Sequence, residues 1–169
     1  MVGRSNVGKS SLINALVRQR LARTSAAPGK TRLANVYRVA RGSHAPLYLV
    51  DLPGYGYARG GRDSADAFDA LTREYFSREG QGLRAALLLV DVRHPGLASD
   101  RAAWQWIHAA TARAAVVATK IDKLARGERI RALRELESVF EGSVLPTSAE
   151  TGEGLDELWK LIDRLPTAS

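Results

Sequence analysis

Residues Gly3-Arg4-Ser5-Asn6-Val7-Gly8-Lys9-Ser10 match the spacing G-x-x-x-x-G-K-[ST]. Glycines in such a loop let the backbone wrap an anion with successive N–H groups pointing inward. Lys9 then reaches the terminal phosphates, and the Ser10 hydroxyl can ligate Mg²⁺. The expected phosphate contacts are Gly3, Arg4, Ser5, Asn6, Val7, Gly8, Lys9, Ser10 and the following Ser11. Average residue frequencies give this pattern by chance in roughly 1% of chains this long, which favours a functional loop over a structural turn. The chemistry it implies is the binding of a phosphorylated nucleotide.

Thr119-Lys120-Ile121-Asp122 bears on the base. The Asp122 carboxylate can accept hydrogen bonds from both N1–H and the 2-amino group of guanine. Adenine has an N1 acceptor and no 2-amino group, and would leave the charge unpaired. Lys120 would lay its alkyl stem along the base, and Thr147, Ser148 and Ala149 could present backbone N–H groups to guanine O6. The tetrapeptide alone is weak evidence; its weight comes from lying after a candidate strand and downstream of a phosphate loop.

Asp51-Leu52-Pro53-Gly54 follows the apolar run Leu47–Val50, which puts a carboxylate at a strand end to hold a water of the Mg²⁺ shell and the Gly54 N–H opposite a γ-phosphate. Pro28-Gly29-Lys30-Thr31 lies between the two, where Thr31 could add a second hydroxyl to the metal when a γ-phosphate is present. The metal ligands expected are Ser10, Thr31 and Asp51, and the catalytic set is Lys9, Thr31, Gly54 and Asn6. Gly29, Lys30 and Thr31, with Gly54–Asp63, become two loops ordered by triphosphate and released by hydrolysis.

Short β-rich runs alternate with helix-period segments, the pattern of an α/β protein built on a mostly parallel sheet flanked by helices. Strands are expected at Ala34–Val39, Leu47–Val50, Ala85–Val90, Ala114–Ala118 and Val144–Pro146, the third apolar throughout and so buried on both faces. Helices are expected at Lys9–Arg18, Ser64–Ser77, Asp100–Thr111, Glu128–Phe140 and Gly154–Leu165, with Ser99 able to cap the third. In the last helix Leu155, Leu158, Trp159 and Ile162 form an apolar stripe that reads as core. Trp104 and Trp106 lie two positions apart on one helix and cannot share a face.

The chain has 169 residues, a size that suits one domain, and no cysteine, which excludes thiolate catalysis, Cys-ligated zinc and a disulfide framework. No apolar run approaches the length of a membrane span, and the expected location is the cytoplasm. The net charge is +7, and residues 1–50 carry nine Lys/Arg and no Asp or Glu. The excess therefore sits at one end and suits a polyanionic partner.

Taken together, G-R-S-N-V-G-K-S-S-L-I-N, A-R-T-S-x-x-P-G-K-T, V-D-L-P-G-Y-G-Y-A, D-V-R-H-P and T-K-x-D-K-L resemble the EngB (YihA/YsxC) family of bacterial GTPases, of the TrmE-Era-EngA-EngB-septin-like class. The resemblance runs over nearly the whole chain. It implies a Ras-like P-loop fold in a single domain, Mg²⁺-dependent GTP and GDP binding with slow hydrolysis, and a role in large ribosomal subunit assembly, with the family's association with cell division and septation. The expected partners are guanine nucleotide and, from the resemblance, a large-subunit precursor and its rRNA, with neither DNA nor a membrane, and a monomeric chain. Arg18, Arg20, Arg23, Lys30, Arg32, Arg38 and Arg41 are the basic residues expected to contact rRNA phosphates. The alternative is a GTP-sensing RNA- or protein-binding module in which hydrolysis is incidental.

Tyr55 stands where Ras-like enzymes carry the glutamine that orients water. Asn6 matches the asparagine thought in related GTPases to help hold K⁺ near the phosphates; the other reading is that it stabilises the loop turn. Only Met1 and Val2 precede Gly3, where the family has an N-terminal segment and a first strand, both expected to be missing here. A chain extended at its N-terminus by about 20 residues is therefore expected to melt at a higher temperature, because a phosphate loop normally hangs from a buried strand. Equal thermal midpoints for the two chains would refute this.

Overall fold

The computed structural model describes residues 1–19, 34–42, 44–55, 83–111 and 113–165. Its centre is β4 (Ala86–Asp91), buried at every position, as a strand with no polar alternation must be if both faces are covered. β4 pairs in parallel with β5 (Ala114–Thr119) on one side and with β1 (Val2–Gly3) on the other, and β6 (Val144–Pro146) pairs in parallel with β5. The order is β1-β4-β5-β6. Of the first strand, expected to be missing, Val2 and Gly3 are thus present and lie opposite Leu88 and Leu89.

β2 (Asn35–Arg41) and β3 (His44–Asp51) form an antiparallel pair. The end of this hairpin leans on the parallel sheet, because Met1 N donates to Val50 O at 2.6 Å and Leu52 N to Met1 O at 3.2 Å. β3 starts three residues before the expected Leu47. His44-Ala45-Pro46 has no apolar alternation to announce a strand; pairing of Arg41 with His44 across the hairpin draws it into extended form.

Alternation along β4 sends Leu87 and Leu89 to one face and Leu88 and Val90 to the other. Leu87 and Leu89 meet Leu12 and Leu16 of α1 (Lys9–Val17) and Leu158 of α4 (Leu155–Arg164). Leu88 and Val90 meet Ile107 of α2 (Ala98–Ala110), and Leu136 of α3 (Arg126–Val139) with Phe140 just after it. The result is a sheet between two helical layers. The stripe Leu155, Leu158, Trp159 and Ile162 lies in the first cluster, as expected.

The helix expected at Ser64–Ser77 falls outside the described residues. Ser99 does not cap α2, which starts at Ala98 with Leu97 in the capping position and no side-chain cap. The Leu97 carbonyl accepts from Asp100 N and Arg101 N, and the charge in the first turn is that of Asp100. Contrary to the expectation from their spacing, Trp104 and Trp106 both pack half-buried against the second cluster, Trp104 edge-on to Phe140 with ring centroids 5.8 Å apart. Arg41 Nη1 donates to Asp163 Oδ2 at 3.2 Å while its guanidinium lies 4.0 Å from the Trp159 ring centroid, tying the hairpin to α4. No helix among the described residues is long and apolar enough to cross a membrane.

Leu158 is 0% exposed, whereas Ile130 on α3 is 43% exposed. Leu158→Ala is expected to cost about 2–5 kcal/mol of unfolding free energy through lost transfer energy and a cavity. Ile130→Ala is expected to stay within about 0.5 kcal/mol. Urea unfolding of the two variants against the parent chain measures the difference.

Candidate nucleotide site

Parallel pairing puts Gly3, Asp91, Thr119 and Pro146, the last residues of β1, β4, β5 and β6, at one edge of the sheet. This is the edge at which open α/β sheets bind ligands.

The loop from Gly3 turns through Asn6, at φ 63°, and Gly8, at φ 106°, into α1. The Gly8 conformation is one that side chains rarely adopt. α1 has no side-chain cap and no acidic residue in its first turn, so the positive end of its dipole and its free N–H groups face the loop uncompensated. Lys9 is buried, with Nζ donating to Gly3 O at 3.0 Å and Arg4 O at 3.3 Å. Burial pulls its pKa down, against the opposing pull of Asp51.

Ser10 Oγ donates to Asp51 Oδ2 at 3.2 Å. Asp51 is 1% exposed, and its Oδ1 is buried with no hydrogen-bond partner among the described residues. Burial raises the Asp51 pKa, and Lys9 and Ser10 oppose the rise. Beyond Asp51, Gly54 presses on the loop so closely that a Cβ there would lie 2.6 Å from Ser5 N. Ser5 N donates to Tyr55 O at 3.0 Å, and Ser5 Oγ to Gly54 O at 3.3 Å.

On the base side, Lys120 Nζ donates to Asn6 O at 2.5 Å and to Asp91 Oδ2 at 3.1 Å, joining the end of β5 to the phosphate loop and to the end of β4. Asp91 also accepts from Arg93 Nε at 2.9 Å, Nη2 at 2.7 Å and backbone N at 3.1 Å. Burial alone would raise the Asp91 pKa, but the hydrogen bonds from Arg93 and Lys120 hold it well below the usual carboxylate range. Asp122 Oδ1 accepts from Ser148 Oγ at 2.6 Å. Its pKa too is lowered: burial acts upward, but Ser148 and Lys123 outweigh it.

Several expected contacts are committed elsewhere. Thr119 Oγ1 lies 2.7 Å from Val7 O and 3.1 Å from Val90 O, so it braces the loop rather than facing a ligand, and the Val7 side chain is core. Thr147 N donates to Ala118 O and Ser148 N to Glu153 O, which leaves Ala149, of the three, with an N–H lacking a partner among the described residues. The Arg4 side chain turns to Asp100, Nε lying 3.5 Å from Oδ1. Ser11 is exposed on α1. Arg41 is held by Asp163 and Trp159 instead of standing free for a polyanion. Gly29, Lys30 and Thr31 lie outside the described residues, as do Arg20, Arg23 and Arg32.

Sequence reasoning gave no role to Asp91, Arg93 or Asp100. Asp91 carried a readable signal, since it ends an apolar parallel strand just as Asp51 ends its own. Asp100 carried none, because its partners Arg4 and Tyr55 are distant in the chain.

A family model described as "50S ribosome-binding GTPase" matches residues 1–120. Proteins called "Probable GTP-binding protein EngB" are similar over almost the full chain. That of Heliobacterium modesticaldum is 41% identical over 168 residues, covering 96% of this chain and 80% of the relative. That of Thermotoga maritima is 42% identical, covering 97% and 84%. Among solved structures, a probable GTP-binding protein engB superposes with a TM-score of 0.76 at 22% identity, covering 98% of this chain and 96% of that one. Era in complex with MgGDPNP and nucleotides 1506–1542 of 16S ribosomal RNA superposes at 0.79 with 24% identity, covering 95% and 53%. With a phosphate loop, a strand-end carboxylate and a base-side aspartate on one sheet edge and this similarity across the chain, the protein belongs to the EngB family of GTP-binding GTPases.

Proposed function

We propose that GTP and GDP bind along this sheet edge, between the α1 N-terminus and the Asp122–Ser148 pair, and that slow Mg²⁺-dependent hydrolysis switches the chain during assembly of the large ribosomal subunit in the cytoplasm. The observation that carries the nucleotide reading is the Lys120 ammonium. It bridges Asn6 O and Asp91, which brings the phosphate loop and the base-recognition loop together as one nucleotide requires.

In this reading the loop N–H groups and the α1 dipole bind the phosphates, and Lys9 exchanges its loop carbonyls for phosphate oxygens. Asp122, held charged by Ser148, selects guanine, and Ala149 offers its N–H to O6. The residues fit a magnesium ion: the Ser10 hydroxyl adjoins Asp51, whose buried Oδ1 has no hydrogen-bond partner among the described residues, and Thr31 is the further ligand proposed. Bound there with nucleotide, the ion would neutralise charge on the phosphate oxygens. Gly54 supplies its N–H to the γ-phosphate. Tyr55 is buried with its hydroxyl on Asp100, so it does not replace a water-orienting glutamine, which accords with slow turnover. Asn6 turns the loop at φ 63°, and its side chain would help hold K⁺ near the phosphates.

Titration with fluorescent GDP and ADP in Mg²⁺ buffer tests the site. GDP is expected to bind and ADP not, and Asp122→Asn is expected to lose guanine nucleotide while accepting xanthine nucleotide, whose C2 oxygen matches an amide donor. No GDP binding, or equal binding of both bases, would overturn the reading.

The ribosomal part is supported by the "50S ribosome-binding GTPase" model, by the Era structure solved with 16S rRNA nucleotides, and by nine cations without an anion in residues 1–50. Exposed Arg18 and Arg38 are the described residues of that set available to an anion. Association with large-subunit particles is expected to be stronger with a non-hydrolysable GTP analogue than with GDP, and to weaken steeply with salt as phosphate contacts release counterions. Nucleotide-independent, salt-insensitive sedimentation with the particles would favour a protein contact instead.

A further inference from the structure

Tyr55 is 8% exposed, and its hydroxyl donates to Asp100 Oδ1 at 2.8 Å. Asp100 is 1% exposed in the first turn of α2, and Arg4 Nε, buried and without a hydrogen-bond partner among the described residues, lies 3.5 Å from the same oxygen. Residues from the phosphate loop, from the segment after β3 and from α2 therefore meet in one buried cluster. The backbones meet as well: Arg4 and Tyr55 form a parallel bridge, with Ser5 N on Tyr55 O.

Gly54 is caught between this attachment and the earlier one at Leu52 N, which donates to Met1 O. Its fit is tight, with the position a Cβ would take only 2.6 Å from Ser5 N and 2.7 Å from Ser5 Cα. A hydrogen bond from a phenol to a buried carboxylate is among the stronger ones a side chain can make. An N–H meeting a phosphate oxygen needs its donor placed to within a few tenths of an ångström. The anchor and the donor are adjacent residues, so what holds Tyr55 also sets Gly54.

The geometry points to Tyr55, Asp100 and Arg4 as positioning residues for the third phosphate of GTP: a buried clamp that holds the Gly54 N–H in place against the phosphate loop. This rests on reading the cleft as a guanine nucleotide site. The cluster joins the start of the phosphate loop to Gly54 and includes neither Asp122 nor Ser148, so it is expected to act on the triphosphate more than on the diphosphate and to leave base recognition alone.

The test is Tyr55→Phe and Asp100→Asn in the full chain, titrated with fluorescent GDP and with guanylyl imidodiphosphate, alongside single-turnover GTP hydrolysis. Tyr55→Phe removes only the hydroxyl. It is expected to weaken the triphosphate analogue and slow hydrolysis by about tenfold, with GDP affinity unchanged within about twofold. Asp100→Asn keeps an oxygen that can accept from Tyr55 while removing the charge beside Arg4, and its loss is expected to be smaller but on the same ligand. Equal weakening of GDP and the analogue would show a merely structural role and overturn the inference, as would unchanged triphosphate binding and hydrolysis. Failure of the parent chain to bind GDP would instead overturn the reading of the cleft, and this inference with it.

Discussion

A strand that is apolar on both faces and ends in a carboxylate organises this molecule. Six consecutive buried positions in β4 oblige helices to pack on each side, and the even and odd residues divide the core into its two clusters. Burying a leucine side chain stabilises by roughly 1.5–3 kcal/mol, so the positions of Leu87, Leu88 and Leu89 outweigh the local preferences of the segments around them. The same strand delivers Asp91 to the functional edge, where it holds Lys120. Core and site are consequences of one run of residues.

The electrostatics of the edge follow from that placement. Each of its carboxylates is matched: Asp91 by Arg93 and Lys120, Asp122 by Lys123 and Ser148, Asp51 by Lys9 and Ser10. A buried carboxylate without such partners would protonate instead of keeping its charge. Asp51 differs from the other two in that one of its oxygens has no hydrogen-bond partner among the described residues. The opposite sign is less compensated at the α1 N-terminus, which has no acidic residue in its own first turn and no side-chain cap, Asp51 being the carboxylate beside it. An edge with a carboxylate oxygen unpartnered among the described residues beside an uncapped positive helix end suits a magnesium-bound polyphosphate, and suits a neutral ligand poorly.

Much of this was legible in the sequence because the signals are local. The loop from Gly3 to Ser10 carries its own geometry in its glycines, and strand-end carboxylates such as Asp51 announce themselves by the apolar run before them. What could not be read are relations between segments. Nothing in the residues near Ser148 says that its N–H is taken by Glu153, or that Arg41 is stacked on Trp159 and so withdrawn from the basic surface. Ser99 looked like a helix cap by type, but the chain enters α2 two residues earlier, with Leu97 in the capping position, so the preference never had its position.

Tyr55 shows why residue type alone can mislead at such a site. A tyrosine beside a phosphate loop invites a role for its hydroxyl in the reaction, yet the hydroxyl is directed to Asp100 and the ring is buried. Its chemistry is spent on holding the chain, and in the proposed site the polar work near the phosphates falls largely to backbone N–H groups whose placement the buried side chains determine. Backbone donors have no rotamers to lose, so fixing the chain at Tyr55 and at Leu52 removes most of the freedom left to Gly54. A glycine, otherwise the most flexible of residues, can then act as a rigid donor, because packing on both sides of it replaces the restraint its missing side chain would have given.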